Sequence, residues 1–274
     1  MRLATIRVPS GTKAVMIDGE DAEELGYRDI GELLANPSWQ TDLRQTGVYY
    51  EADGLEFATL IPSPSKILCV GHNYKNHIKE MGRDLPSHPT LFAKFSEALI
   101  GADDSILMSP ESQMYDWEAE LGVIVGSTVR NCSEEEARTA IAGFTVINDV
   151  TARDWQNRTL QWLQGKTFEG STPVGPHLVT MDVDKVVEEG LDLSCEVNGE
   201  QVQHAVTSDL LFNPVFLVSY ISKILTLRPG DIISTGTPGG VGHARNPQRY
   251  LADNDVLVTK VEGIGELRNT CKRA

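Results

Sequence analysis

The chain has 274 residues, 41% of them hydrophobic and 23% charged, and its 24 Lys and Arg against 39 Asp and Glu leave a net charge of −15. That composition is of the soluble globular type and excludes collagen, coiled-coil and low-complexity readings. An acidic average surface repels polyanions and anionic lipid, so neither nucleic acid nor a membrane is expected as a partner. No run approaches the ~18 apolar residues of a membrane span, and MRLATIRVPSGT holds no apolar signal-peptide core. The four cysteines, at 69, 132, 195 and 271, show neither CxxC nor zinc spacing. Buried free thiols in a cytoplasmic protein are therefore expected.

In chain order, residues 1–8 alternate in polarity and end in a Pro-Ser-Gly turn, and 13–17 read as a second strand of a hairpin. Residues 22–34 place apolar side chains at near-helical spacing until Asn36-Pro37 stops them. Ile61-Pro62-Ser63-Pro64-Ser65 resists both helix and central strand and reads as a linker. Beyond it, 67–70 is a buried-type strand, and 118–125 alternates before turning wholly apolar. Ser133 and Glu136 form a capping box for a helix over 137–142, with Gly143 as its C-cap. Residues 144–147 form a strand ending at Asn148-Asp149, and Asn198-Gly199 joins 191–197 to 200–203 in a type I′ hairpin. Asn213-Pro214 opens a helix to about Leu225, 231–234 and 255–261 are strands, and 235–242 is a glycine-rich loop. The fold class is α+β and strand-dominated, with domains expected at 1–62 and 63–274.

Chemistry gathers at a few places. Glu118 and Glu120 share one face of a strand, where like charges destabilise unless a cation lies between them. With Asp149 they make an oxygen-only set suited to Mg²⁺, Mn²⁺ or Ca²⁺, against the plain alternative of an exposed acidic edge. His77 and Glu80 are helical neighbours, which is either a general-base pair or an incidental surface pair. Arg153 and Gln156 follow Asp149 at helical spacing and suit a substrate carboxylate or keto oxygen. Lys166 suits enolate stabilisation if it is buried beside a metal. The loop from Ser234 to Gly242 permits close backbone approach, although it matches neither a Walker nor a Rossmann fingerprint.

Taken together, CVGHNYKNHIKEMG, LFAKF, DWEAELGVIVG, FTVINDVTARDWQ, GKTFEGSTPVGP, NPVFLVSYIS and LRPGDIISTGTPGGVG resemble the fumarylacetoacetate hydrolase (FAH) family, from about Lys66 to Lys272. The resemblance implies a mixed β-roll, FAH-like catalytic domain behind a small N-terminal α/β domain, and a homodimer. It implies Mg²⁺ (or Mn²⁺) on Glu118, Glu120 and Asp149, with Lys166 beside the metal. It implies substrate contacts from Arg153, Gln156, Gly236 and Thr237, and a water-activating pair of His77 and Glu80 on a lid segment. The activity it implies first is hydrolysis of a C–C bond in a 2,4-dioxo acid of the acylpyruvate or fumarylpyruvate type, through an enolate held on the metal. The same site in the family also serves oxaloacetate decarboxylation and isomerisation or decarboxylation of 2-hydroxyhepta-2,4-diene-1,7-dioate. A non-catalytic metal-binding dimer is the remaining alternative.

Overall fold

Period-two and wholly apolar runs become strands wherever a neighbour offers an open edge. The structure, a computed structural model, describes residues 1–80, 82 and 84–273, the side chain of Glu80 excepted. Its largest sheet runs, edge to edge, Gln45–Glu51, Asp21–Leu25, Gly11–Asp18, Arg2–Val8, Thr172–Val179, Ile141–Asn148, Ala119–Val125, Ile232–Ser234, Ile67–Gly71 and Thr90–Lys94. Pairing is antiparallel except where Ile232–Ser234 meets Ile67–Gly71 and where Leu99–Ile100 joins Thr172–Val179. A second sheet orders Glu200–Val206, Asp192–Val197, Val256–Val261, Gly265–Arg273 and Ile106–Met108. This is the strand-dominated α+β fold that the motifs imply.

The two sheets share one apolar core. Leu121, Val123, Phe144 and Val146 of the large sheet meet Leu193, Cys195, Leu257 and Leu267 of the second. The helix Pro214–Ile224 closes that core with Val215, Leu217, Val218 and Ile221. Asn213 caps it as expected, its side-chain oxygen accepting the Phe216 N–H at 2.9 Å. Each fully buried Leu or Val contributes roughly 1.5–3 kcal/mol. Ile124, on the opposite face of Ala119–Val125, joins a second core with Leu3, Leu25, Ile30, Leu33, Leu34 and Leu178. Through this core and the Leu3↔Leu178 register, the first sixty residues are continuous with the large sheet. The proline-rich segment is tied down as well: Ser65 Oγ donates to Asp231 at 2.6 Å, and Lys66 pairs with the same carboxylate at 2.7 Å.

Two local expectations are corrected. Residues 22–34 are not one helix, because Asp21–Leu25 pairs as a strand with both Gly11–Asp18 and Gln45–Glu51. The pattern Ala-Glu-Glu-Leu fits either period, and the open strand edge decides. Helix begins only at Ile30–Leu34, where the Asp29 carboxylate accepts the Glu32 N–H at 2.9 Å. The capping box at Ser133 forms, but its helix is Glu134–Ala140 and passes directly into the strand Ile141–Asn148. Gly143 lies inside that strand, where a Cβ would stand 2.3 Å from the Val179 carbonyl oxygen. It permits close strand approach and caps nothing.

All four cysteines are buried and free of disulfides. Among the described residues no helix is long and apolar enough to cross a membrane. The Asn198-Gly199 turn takes the positive φ values, 54° and 81°, that its hairpin requires.

His177 carries a stability prediction. It is partly buried, with Nδ1 3.0 Å from the Ile264 carbonyl oxygen and 3.2 Å from the Arg2 guanidinium. Burial pulls its pKa down from 6.5 to about 4. An unfolded chain takes up this proton near pH 6.5, whereas the folded one does so only near 4. The contribution is therefore whole above about pH 6.5 and falls by up to about 3 kcal/mol as pH drops through that window. Urea unfolding at pH 7 and pH 4.5 is expected to show this loss in the native protein and to show little of it in His177→Gln.

Candidate active site

Strand register assembles the acidic trio. Ala119 pairs with Asn148 and Glu120 with Ile147, and the Asp149 N–H donates to the Glu118 carbonyl at 2.8 Å. Glu118 and Asp149 therefore leave adjacent strands side by side, and Glu120 follows Glu118 on the same face. All three are buried, and one ligand oxygen from each lies within 4.8 Å of the others. Asn148 fixes the corner: its Oδ1 accepts the Glu118 N–H at 2.9 Å, and its Nδ2 donates to Thr259 Oγ1 at 2.8 Å.

Cations bracket two of the three carboxylates. Lys166 Nζ lies 2.5 Å from Glu118 and 2.7 Å from Asp149. Lys94 Nζ lies 2.6 Å from the other Asp149 oxygen. Arg153 reaches Glu118 at 2.7 Å and Asp116 at 2.8 Å, and donates to Gln156 Oε1 at 3.0 Å. Arg153 and Gln156 sit on a single helical turn, Arg153–Gln156, packed against a second, Leu163–Lys166. Gly165 makes that packing possible, since a Cβ there would meet the Gln156 nitrogen at 2.4 Å.

Glu120 is treated differently. One of its oxygens accepts from Ser234 Oγ at 2.6 Å and from the Gly236 N–H at 2.7 Å. Among the described residues no lysine or arginine forms an ion pair with it, Lys166 pairing with Glu118 and Asp149 and acting on Glu120 only from farther off. Burial, and then the charges of Asp149 and Glu118, push its carboxyl well above the usual range. Burial also pushes Glu118 up, but Lys166 and Arg153 outweigh it and hold that carboxyl low. Burial alone pulls Lys166 down, yet Asp149 and Glu118 keep the ammonium charged. A buried carboxylate with no ion pair among the described residues, beside two others, is a site that a small hard cation completes, and the oxygen-only donors suit Mg²⁺ or Mn²⁺. The residues present thus fit the divalent metal that the motifs imply.

Glu118 and Glu120 open onto a cavity of about 400 Å³, with Asp149 wholly buried, and it is lined also by His72, His77, Phe92, Arg153, Gln156, Trp162, Lys166, Thr237 and His243. Phe92 and Trp162 meet edge to face at 5.4 Å, and Lys166 Nζ lies 4.9 Å from the centre of the Phe92 ring. His72 holds a left-handed backbone, φ 54°, at the edge of this wall. His77 enters from the helix Lys75–Glu80. The Glu80 side chain lies outside the described residues, so its pairing with His77 stays an expectation. Thr237 Oγ1 accepts from Gln203 Nε2 at 2.8 Å. Gly236 turns its N–H to Glu120. Four residues that sequence reasoning left without a role prove central: Lys94, Asp116, Asn148 and Ser234. Lys94 and Asp116 stand inside the LFAKF and DWEAE motifs, but only the tertiary structure shows what they hold.

The sequence model of the fumarylacetoacetate (FAA) hydrolase C-terminal domain matches residues 66–272. The chain belongs to the fumarylacetoacetate hydrolase family. Among FAH relatives, it is 43% identical over 219 residues to a fumarylacetoacetate hydrolase domain-containing protein 2 homolog of Dictyostelium discoideum, covering 76% of this chain and 72% of that one. It is 42% identical over 214 residues to the mitochondrial oxaloacetate tautomerase Fahd2a of Rattus norvegicus, covering 78% of this chain and 68% of that one. The fumarylacetoacetate hydrolase of Exiguobacterium antarcticum superposes over the whole of both chains with a TM-score of 0.90 and 30% identity. The 2-hydroxyhepta-2,4-diene-1,7-dioate isomerase of Mycobacterium marinum does so over 100% of this chain and 98% of its own, with a TM-score of 0.84 and 33% identity.

Proposed function

We propose that this FAH-family enzyme is a divalent-metal-dependent catalyst of enol–keto interconversion in a small 2-oxo dicarboxylic acid of the oxaloacetate type. The observation that carries the reading is the 42% identity to an oxaloacetate tautomerase across a region that includes the whole acidic trio. Glu118, Glu120 and Asp149 would hold Mg²⁺ or Mn²⁺, which when bound supplies Lewis-acid polarisation of the 2-oxo group and acidifies the neighbouring carbon. Arg153, Gln156 and Thr237 orient the substrate's 2-oxo acid end. The Lys166 ammonium stabilises negative charge that develops on the oxygen. His77 would take the proton from the 3-carbon and deliver it to the 2-oxygen, and carry it the other way when the enol reverts to the ketone. Phe92 and Trp162 keep water from the reacting carbon.

Hydrolysis of a 2,4-dioxo acid is the second reading, supported by the full-length likeness to the Exiguobacterium hydrolase. In that case His77 activates water. The two separate in one assay series, with EDTA-stripped enzyme and Mg²⁺ restored. Decay of the enol of oxaloacetate is followed beside cleavage of acetylpyruvate and fumarylpyruvate. Metal-restored enol decay is the expected result, and cleavage of an acylpyruvate with oxaloacetate untouched overturns the first reading in favour of the second. His77→Ala is expected to slow the favoured reaction by about 10²–10⁴-fold and to leave Mg²⁺ affinity unchanged. An unaltered rate removes His77 from the mechanism.

A further inference from the structure

One wall of the cavity holds a group that neither the motifs nor the metal-side network uses. His243 lines the same cavity as Glu118, Arg153 and Lys166. It sits in the turn Gly242–Ala244, which is fixed from two sides. The Asp116 carboxylate accepts the Gly242 N–H at 2.7 Å and the His243 N–H at 3.0 Å. A Cβ at Gly242 would stand 1.9 Å from the Arg249 carbonyl oxygen, so the turn has no room to shift.

The ring is held as firmly as its backbone. Nδ1 lies 2.9 Å from the Tyr250 hydroxyl oxygen. Tyr250 donates to Gln248 Oε1 at 2.9 Å, and Gln248 Nε2 donates back to the His243 carbonyl at 3.1 Å. Gln248 Nε2, an amide donor, also stands 3.5 Å from Nδ1, so these contacts engage Nδ1 and Nε2 is the nitrogen left for the cavity. With Gln248 Nε2 donating to Nδ1, the ring proton sits on Nε2, which then donates to an anion in the cavity.

The surrounding charges favour the same ligand. Arg245 and Arg249 share the single carboxylate of Glu200, at 3.3 and 2.6 Å. Both guanidinium groups lie over Trp117, 5.6 and 5.7 Å from the ring centre. Asp116, the acidic neighbour of the turn, is already paired with Arg153. Arg153 and Lys166 are each held by two carboxylates. Arg245, which follows the turn directly, and Arg249 together leave one positive charge unmatched by Glu200 beside the segment that bears His243, in a chain whose net charge is −15.

We infer that His243 is a specificity-determining residue whose Nε2–H receives the distal carboxylate of a 2-oxo dicarboxylic acid, the 2-oxo acid end lying at the acidic trio. The inference rests on the 2-oxo acid reading above and adds the group that selects a dicarboxylate. Tyr250 acts through His243 as a positioning residue.

The test is calorimetric titration of the full-length protein in Mg²⁺ with malate and with 2-hydroxybutanoate, unreactive analogues that differ only in the distal carboxylate. The native protein is expected to bind malate at least about tenfold more tightly, the value of one charge-assisted hydrogen bond. His243→Phe is expected to abolish that preference, with 2-hydroxybutanoate affinity within about twofold of native and an unchanged melting temperature. His243→Lys, which supplies an N–H donor for the same carboxylate, keeps part of the preference, and Tyr250→Phe reduces it. Absence of a preference in the native protein overturns the inference. So does an unchanged preference in His243→Phe, or equal weakening of both ligands. Oxaloacetate kinetics keep the two proposals apart. A malate preference that depends on His243, without oxaloacetate turnover, supports the subsite and overturns the reaction. Turnover with the same KM in His243→Phe supports the reaction and overturns the subsite.

Discussion

Glu120→Gln is expected to lower Mg²⁺ affinity by more than ~100-fold, the upper end for loss of an outer-shell partner, and turnover by at least about a thousandfold. The same change is expected to leave folding stability within about 1 kcal/mol of the native protein, or to raise it. The asymmetry follows from the position of Glu120. Its carboxyl is buried, pushed up by burial and by Asp149 and Glu118, and has no cationic partner among the described residues. An amide oxygen still accepts from Ser234 and Gly236, the groups that Glu120 bonds now, and the amide carries no charge for burial and the two acidic neighbours to disfavour. Calorimetric Mg²⁺ titration with parallel urea unfolding checks both halves. Native-like metal affinity in Glu120→Gln removes Glu120 from the ligand set.

Asp149→Ala has the opposite stability signature. It too is expected to abolish metal binding and turnover, but here the metal-free fold also suffers. Asp149 pairs with Lys94 at 2.6 Å and with Lys166 at 2.7 Å. Among the described residues its loss leaves Lys94 with no carboxylate partner and Lys166 with Glu118 alone. Breaking a buried pair from one side costs about 3–5 kcal/mol. Chemical unfolding in EDTA isolates this term. A variant as stable as the native protein contradicts the assignment of Asp149 as the counter-ion of both lysines.

What the sequence made legible is what short-range chemistry governs. Glu118 and Glu120 share a face because a strand has period two, and their union with Asp149 needs only two adjacent strands. Ser133 and Glu136 cap a helix because the box is local, and Asn198-Gly199 turns because two consecutive positive φ values demand it. Where two periods fitted the same residues, partners elsewhere decided. Residues 21–25 became a strand because Gly11–Asp18 offered an edge, and Gly143 went into a strand because Val179 approaches closely there. Lys94 stands 55 residues from Asp149, and Asp116 126 residues from Gly242. No local pattern announces either contact. The net charge of −15 likewise describes the average surface and not the arginines beside His243.

The most direct test of the metal-dependent 2-oxo acid site is the rate of oxaloacetate enol decay with EDTA-stripped enzyme as Mg²⁺ is titrated back, run beside Glu120→Gln. The account predicts no enzyme-dependent decay without metal, saturable restoration in the native protein, and none in the variant at the same concentrations. Enzyme-dependent decay that persists in EDTA, or that Glu120→Gln leaves intact, contradicts it.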